Sequence, residues 1–153
     1  MHRMTVNKVG KYKPFIFFEL FKNTMRQRLP KFAAEKFKGL LLDNIDSNKF
    51  GFKLSDRWLA YKKLRGWDQR PFIAEGHYVD AISVFHYNGH LTIGFKKSTR
   101  HPRSKMMMYE VAQILEFGRL DQGIPARPLW RYTAEEFFKR FPEYIKEILP
   151  RNE

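Results

Sequence analysis

The stretch Met106–Tyr132, MMMYEVAQILEFGRLDQGIPARPLWRY, decides how the chain is read. Met108, Val111, Ala112 and Leu115 stand at i, i+3, i+4 and i+7, which is one apolar face of a helix. Phe117-Gly118 closes that helix, because glycine takes the left-handed conformation past a helix end without a Cβ penalty. Pro125 and Pro128 each fix their own φ and bias the preceding residue to an extended form, so Ala126-Arg127 is held nearly straight. A guanidinium on so stiff a backbone suits two roles. It can bind a partner, or it can pin the loop onto its own domain. The spacing alone leaves both open.

Working outward, Thr133-Ala-Glu-Glu136 has the form of a capping box, with threonine capping an amide and Glu136 reaching back. It is the expected start of a last helix carrying Phe137, Phe138, Phe141, Tyr144, Ile145 and Ile148, kinked or restarted at Pro142. On the other side lies Lys96–Lys105, KKSTRHPRSK, with Lys96, Lys97, Arg100, Arg103 and Lys105 and no acid. Such a run does not pack in a core and is expected as a loop or protrusion. Before it, Asn88-Gly89 separates two alternating runs. Both residues tolerate positive φ, so a tight hairpin of type I′ is expected between strands Ile82–Tyr87 and His90–Lys96.

Further upstream, Ser55-Asp56 reads as a helix start and Gly66 as its stop. Glu75–Ala81 is expected to be a short helical turn. Residues 43–54 form a turn-rich connector anchored by Phe50 and Phe52. Residues 15–45 are helical in pattern, interrupted at Pro30, with Phe32, Ala33, Phe37, Leu40 and Leu41 on one face of the second segment. Residues 1–14 are basic and read as an N-terminal arm, leaving 15–153 as a single domain. The expected fold class is α+β: a small antiparallel sheet, including the Asn-Gly hairpin, packed against several helices.

Composition bounds the function. At 153 residues and 43% hydrophobic content the chain is expected to be globular, burying roughly 70% of its unfolded surface. It has no apolar run near the ~20 residues of a membrane span and no small-residue cleavage site after its basic N-terminus, so neither membrane nor signal peptide is expected. Cysteine is absent, which removes disulfides, thiolate metal sites and cysteine nucleophiles and points to assembly in the cytosol. Twenty-nine Lys and Arg against sixteen Asp and Glu give a net charge of +13, which attracts polyanions or acidic protein partners. Fifteen Phe, seven Tyr and three Trp exceed what a core of this size needs and hint at surfaces that other subunits cover.

Signals for catalysis are thin. The five histidines have no HExxH or comparable metal spacing; His86 and His90 flank the hairpin turn without a carboxylate or thiolate. Glu75 or Asp80 with His77 forms an acid–base pair on paper, but no nucleophile or oxyanion donors accompany it. There is no GxGxxG and no P-loop. No enzyme activity, cofactor or metal is expected.

The order of the pieces carries more. Trp58-Leu-Ala-Tyr-Lys-Lys-Leu-Arg-Gly66 precedes Arg70-Pro-Phe-Ile-Ala-Glu-Gly76-His-Tyr-Val-Asp-Ala-Ile82, then the hairpin, then Leu115-Glu-Phe-Gly118 and Ile124-Pro-Ala-Arg-Pro128 before the last helix. Over roughly residues 45–148 this resembles the virion morphogenesis proteins of tailed bacteriophages, the neck, tail-completion or head–tail joining family. The pairing of Leu-Glu-Phe-Gly with Pro-Ala-Arg-Pro is the more specific part. Glu75 stands where that family usually has threonine, Tyr78 where it has leucine, and Leu129-Trp130 where it has phenylalanine and leucine.

The resemblance implies an α+β structural subunit of the virion, assembled in the host cytoplasm. It would form a homo-oligomeric ring at the neck or tail end, between portal or adaptor (connector) proteins and the tail tube or tail terminator. Glu116, Phe117, Gly118, Pro125, Arg127, Pro128 and Trp130 are then the candidate clamp or subunit interface, with Arg127 expected to reach Glu116. Lys96, Lys97, Arg100, Arg103 and Lys105 are the candidate contact to an acidic partner or, non-specifically, to DNA. The other reading is a small basic nucleic-acid-binding protein of nuclease-like type, using the same loop on phosphates.

Overall fold

A turn of π-helix, Thr24–Arg28, opens the described part of the chain, and its cause is the proline just beyond it. Pro30 has no N–H to give and its ring crowds the carbonyl four residues back, so an ordinary α-turn is unfavourable there. Helix α1 then runs Leu29–Asp46 with Pro30 in its first turn. The computed structural model describes residues 24–149. The basic arm 1–14 and the first part of the expected helical stretch, 15–23, lie outside the described residues.

Helix α2, Asp56–Leu64, starts where the Ser55 side chain accepts a hydrogen bond from the Trp58 N–H at 3.3 Å. A short helix α3, His77–Asp80, leads into strand β1, Ser83–Tyr87, which pairs antiparallel with β2, His90–Gly94. Tyr87 lies opposite His90, and Asn88 and Gly89 between them have φ of 49° and 76°, the two positive values that a type I′ turn requires. Helix α4 is Met108–Phe117 and helix α5 is Leu129–Ile148. The two strands form the sheet of the described residues, and helices pack around it, so the molecule is α+β.

The core is one cluster. Leu41 and Ile45 of α1, Tyr78 of α3, Ile82, Met108 and Ala112 of α4 and Leu129 of α5 are all buried together. Val111 and Leu115 pack against it, so the whole i, i+3, i+4, i+7 face of α4 points inward. On α1 the expected Leu40 and Leu41 are buried and Phe37 packs against the core, Phe32 and Ala33 are only half-buried, and Ala34, Asn44 and Ile45 complete the buried set. The connector is held by rings: Phe50 and Phe52 pack on Tyr132, and Phe52 also meets Phe72 edge-on.

One expectation for the last helix is overturned and another narrowed. It starts at Leu129, not after Thr133, and of the two alternatives at Pro142 it does not restart there but runs through as one helix. Thr133 lies one turn inside, fully buried, and its hydroxyl accepts from the Asn44 side-chain amide at 3.1 Å. Glu136 likewise turns away from the helix start. It accepts from Asn44 at 3.2 Å and pairs with Lys49 and Arg140. Burial alone would raise its carboxyl, but the bonds from Lys49 and Asn44 outweigh that and hold it low. The residues of the apparent capping box therefore bolt α5 to α1.

Candidate interaction surface

The end of α4 and the start of α5 form a clip. The Gly118 N–H donates to the Ile114 carbonyl at 2.8 Å, and Arg119 and Ile124 exchange two backbone hydrogen bonds at 2.7 and 3.0 Å across a small loop. The Arg127 N–H donates back to the Leu115 carbonyl at 2.7 Å. Gly118 has φ +77°, and a Cβ there would stand 2.6 Å from the Ala126 nitrogen and 2.9 Å from the Ile124 oxygen. Only glycine lets the two arms of the clip approach so closely.

Glu116 supplies what α5 lacks at its start. Pro128 occupies the N-cap position and offers no capping side chain. Both Glu116 carboxylate oxygens reach across instead, accepting from the Trp130 N–H and the Arg131 N–H at 3.0 Å each. A negative charge at the positive end of a 20-residue helix is favourable in itself. The Trp130 indole N–H donates to the Tyr78 hydroxyl at 3.0 Å, and its ring packs between Phe37 and Phe95. Burial pushes the Tyr78 hydroxyl well above the usual phenol range.

Arg127 does not reach Glu116. Its guanidinium is buried and donates to the Lys53 carbonyl at 3.3 Å, while its Nε has no partner among the described residues. Burial lowers its pKa. It ties the clip to the connector that follows α1, with Pro125 exposed and Pro128 half-buried on either side. A second buried cation was not legible in the sequence. Lys62, the buried residue of α2, donates to the carbonyls of Arg70 and Ile73 and so organises the loop after α2.

Beyond these anchors the clip is apolar and open. Phe117 is 77% exposed and Leu120 90% exposed. Beside them a shallow groove of about 230 Å³ runs between Ile93–Phe95 at the end of β2 and Tyr109, Gln113 and Phe117 of α4. Among the described residues β2 pairs with β1 alone, so its other edge carries no strand.

The basic loop is ordered from within its own chain. Arg103 makes a two-pronged pair with Glu75, its Nε lying 2.8 Å from one oxygen, and it stacks on Trp67 at 4.7 Å. The Arg103 bond holds the Glu75 carboxyl below its usual range. His101 Nδ1 accepts from the Arg103 and Ser104 amides at 3.3 and 3.2 Å, and Arg100 donates to the Lys105 carbonyl at 3.2 Å. Lys97 sits over the Tyr87 ring at 5.1 Å, and Lys96 and Lys105 are exposed.

His77 Nε2 lies 3.3 Å from Glu75, and its ring meets that of His101 edge-on at 5.8 Å. The hairpin register puts His86 opposite Leu91 and His90 opposite Tyr87, on different faces of the sheet. Among the described residues no group of three His, Cys, Asp or Glu is placed to hold a metal, and no helix is long and apolar enough to cross a membrane. No protein-family model, curated protein or solved structure matches the chain.

Two outcomes follow from this geometry. Gly118→Ala costs about 3 kcal/mol or more through backbone collision, and Glu116→Ala about 2 kcal/mol through two lost caps; denaturant unfolding measures both, and Gly118→Ala at wild-type stability would refute the clip. The loop also responds to pH. Burial, with His77 and Arg103 nearby, lowers the His101 pKa against the opposing pull of Glu75. Its folded pKa thus lies below the value of 6.5 for a free imidazole. The loop's stability is therefore full above that value and is lost as pH falls through the folded pKa. An NMR titration of His101 is expected to place its midpoint below that of a free imidazole; a midpoint at or above it contradicts the two amide bonds to Nδ1.

Proposed function

We propose that this chain is a structural subunit of a tailed-phage virion, forming a homo-oligomeric ring at the neck or tail end that completes the tail and joins it to the head. One observation carries the reading: Phe117 and Leu120 stand exposed on a rigid clip, next to an apolar groove and an unpaired strand edge. An apolar knob beside an open edge suits a heterologous contact, in which this face of each copy meets a different face of the next, and such contacts form a ring where the rotation closes. The clip is built from the same Leu-Glu-Phe-Gly and Pro-Ala-Arg-Pro words that carry the family resemblance. Glu116 is committed to capping α5 and Glu75 to anchoring the basic loop, so both act as structural acids.

The net charge of +13 directs the ring toward acidic neighbours, such as a portal or adaptor surface, with Lys96, Lys97 and Lys105 presented on an ordered loop. Held in one shape by Arg103, Glu75 and Trp67, that loop has the geometry to meet a protein surface of fixed form.

Mass spectrometry of purified particles and negative-stain imaging of the protein mixed with portal or tail complexes test the proposal. The chain is expected in mature particles and in rings, and Phe117→Asp is expected to abolish ring formation while leaving the helical circular dichroism and unfolding midpoint near wild type. Absence from particles overturns the virion reading. Phe117→Asp assembling like wild type overturns the role of the knob. Binding to DNA or RNA that falls steeply with salt, with no assembly, would select the nucleic-acid reading instead.

A further inference from the structure

A second aromatic cluster stands apart from the core. Trp58 and Tyr61 of α2 are stacked, their ring centroids 5.3 Å apart and their planes 16° from parallel. Trp67, just past the helix end, meets both edge-on at 6.4 and 5.7 Å. None of the three belongs to the core cluster or packs against it. Trp58 is 42% exposed even with Tyr61 stacked on it, and Leu64, one turn on from Tyr61, is 84% exposed. Large rings held outside a core are unfavourable in water, and a group of them marks a surface with an occupant.

Cations are interleaved with these rings. The Arg65 guanidinium lies over Tyr61 at 5.3 Å and that of Arg103 over Trp67 at 4.7 Å. At 3.6 residues per turn, Arg57, Trp58, Tyr61 and Arg65 share one side of α2, and Asp56, the one acid of the helix, stands on the opposite side. The next acids along the chain are already engaged: Asp68 holds Arg70, and Glu75 holds Arg103. Among the described residues, neither Arg57 nor Arg65 has a carboxylate within ion-pair distance. The rings are also fixed in place. The Trp67 N–H donates to the Lys62 carbonyl at 2.9 Å, and the buried Lys62 ammonium donates to the carbonyls of Arg70 and Ile73. A surface ordered beforehand loses little freedom on binding.

We propose that this side of α2 binds single-stranded nucleic acid, with a base stacked on Trp58 and phosphates on Arg57 and Arg65. A base is planar and extends the Tyr61–Trp58 stack by one more ring, and every base has such a face. Guanidiniums without a carboxylate partner suit phosphate, and a chain of net charge +13 draws a polyanion to them. A duplex is a poorer fit, because its bases are stacked on one another and must leave the stack to meet a side-chain ring. The site uses none of the clip residues, so the proposal holds for a monomer or a ring and does not rest on the virion reading.

The test is binding, at low salt, of a single-stranded oligothymidine about 12 nucleotides long and of an abasic strand of the same length. Wild type is expected to bind the thymidine strand about tenfold or more tightly than the abasic one, through stacking, with both affinities falling as salt rises. Trp58→Ala is expected to remove the preference and Trp58→Phe to keep most of it. Arg65→Gln is expected to weaken both strands alike, whereas Lys139→Gln, at an exposed position on α5, changes either by less than about twofold. Equal binding of the two strands by wild type would reduce the contact to charge and overturn the proposal, whatever a variant does to folding. No binding at low salt would overturn it, as would a preference that survives Trp58→Ala. Portal or tail complexes that lose the protein on Trp58→Ala, with no oligonucleotide bound by wild type, would assign the surface to a protein partner instead. Presence in or absence from virions bears on none of these outcomes.

Discussion

One carboxylate holds the two halves of the molecule in place. Glu116, at the end of α4, accepts the Trp130 and Arg131 amides that begin α5. A 20-residue helix that starts at a proline has no cap of its own, and its first amides would otherwise be left for water. The contact fixes where α5 begins, and the rest follows from that point. Leu129 enters the core, Trp130 reaches Tyr78, and Thr133 arrives opposite Asn44. Gly118 makes the arrangement sterically available, because any side chain there would collide with the Pro125-Ala126 backbone.

The unusual composition is absorbed in two ways. Eight of the described aromatics form a continuous set of ring contacts, from Phe137 through Phe37, Trp130, Phe95, Tyr78, Phe72 and Phe52 to Tyr132. Edge-on and tilted rings at these distances add to the stabilisation from burial alone. The excess of cations is partly built inward. Lys62 and Arg127 are buried on backbone carbonyls, and Arg103 is stacked on Trp67. The remaining charge is displayed on the surface, where Leu64, Phe117, Leu120 and Phe138 stand out as apolar exceptions.

Local signals were legible in the sequence and cross-chain ones were not. The hairpin is dictated by Asn88-Gly89, the α4 face by its spacing, the helix stop by Gly118 and the α2 cap by Ser55, because each rests on residues a few positions apart. The start of α5 was misread for the same reason. Thr133 and Glu136 have the spacing of a cap, but their partner is Asn44, 89 and 92 residues away, while the real cap is Glu116. Arg127 and Glu116 were each marked as clamping residues, and the structure gives them separate partners, Lys53 and the α5 amides. Lys62 gave no signal, since a buried lysine and an exposed one look alike until the fold brings two carbonyls to it. The basic loop was legible as a loop or protrusion but its anchor was not, because Glu75 lies 28 residues earlier.

Native-state hydrogen exchange at the Trp130 and Arg131 amides tests most directly whether the Glu116 cap is the pivot of the fold. Helix-start amides ordinarily exchange quickly, through local fraying. The structure requires these two to exchange only with global unfolding, at the same free energy as the Leu41 amide in the core of α1. Exchange orders of magnitude faster than Leu41, with the core still protected, would show that the cap opens independently and would contradict the account.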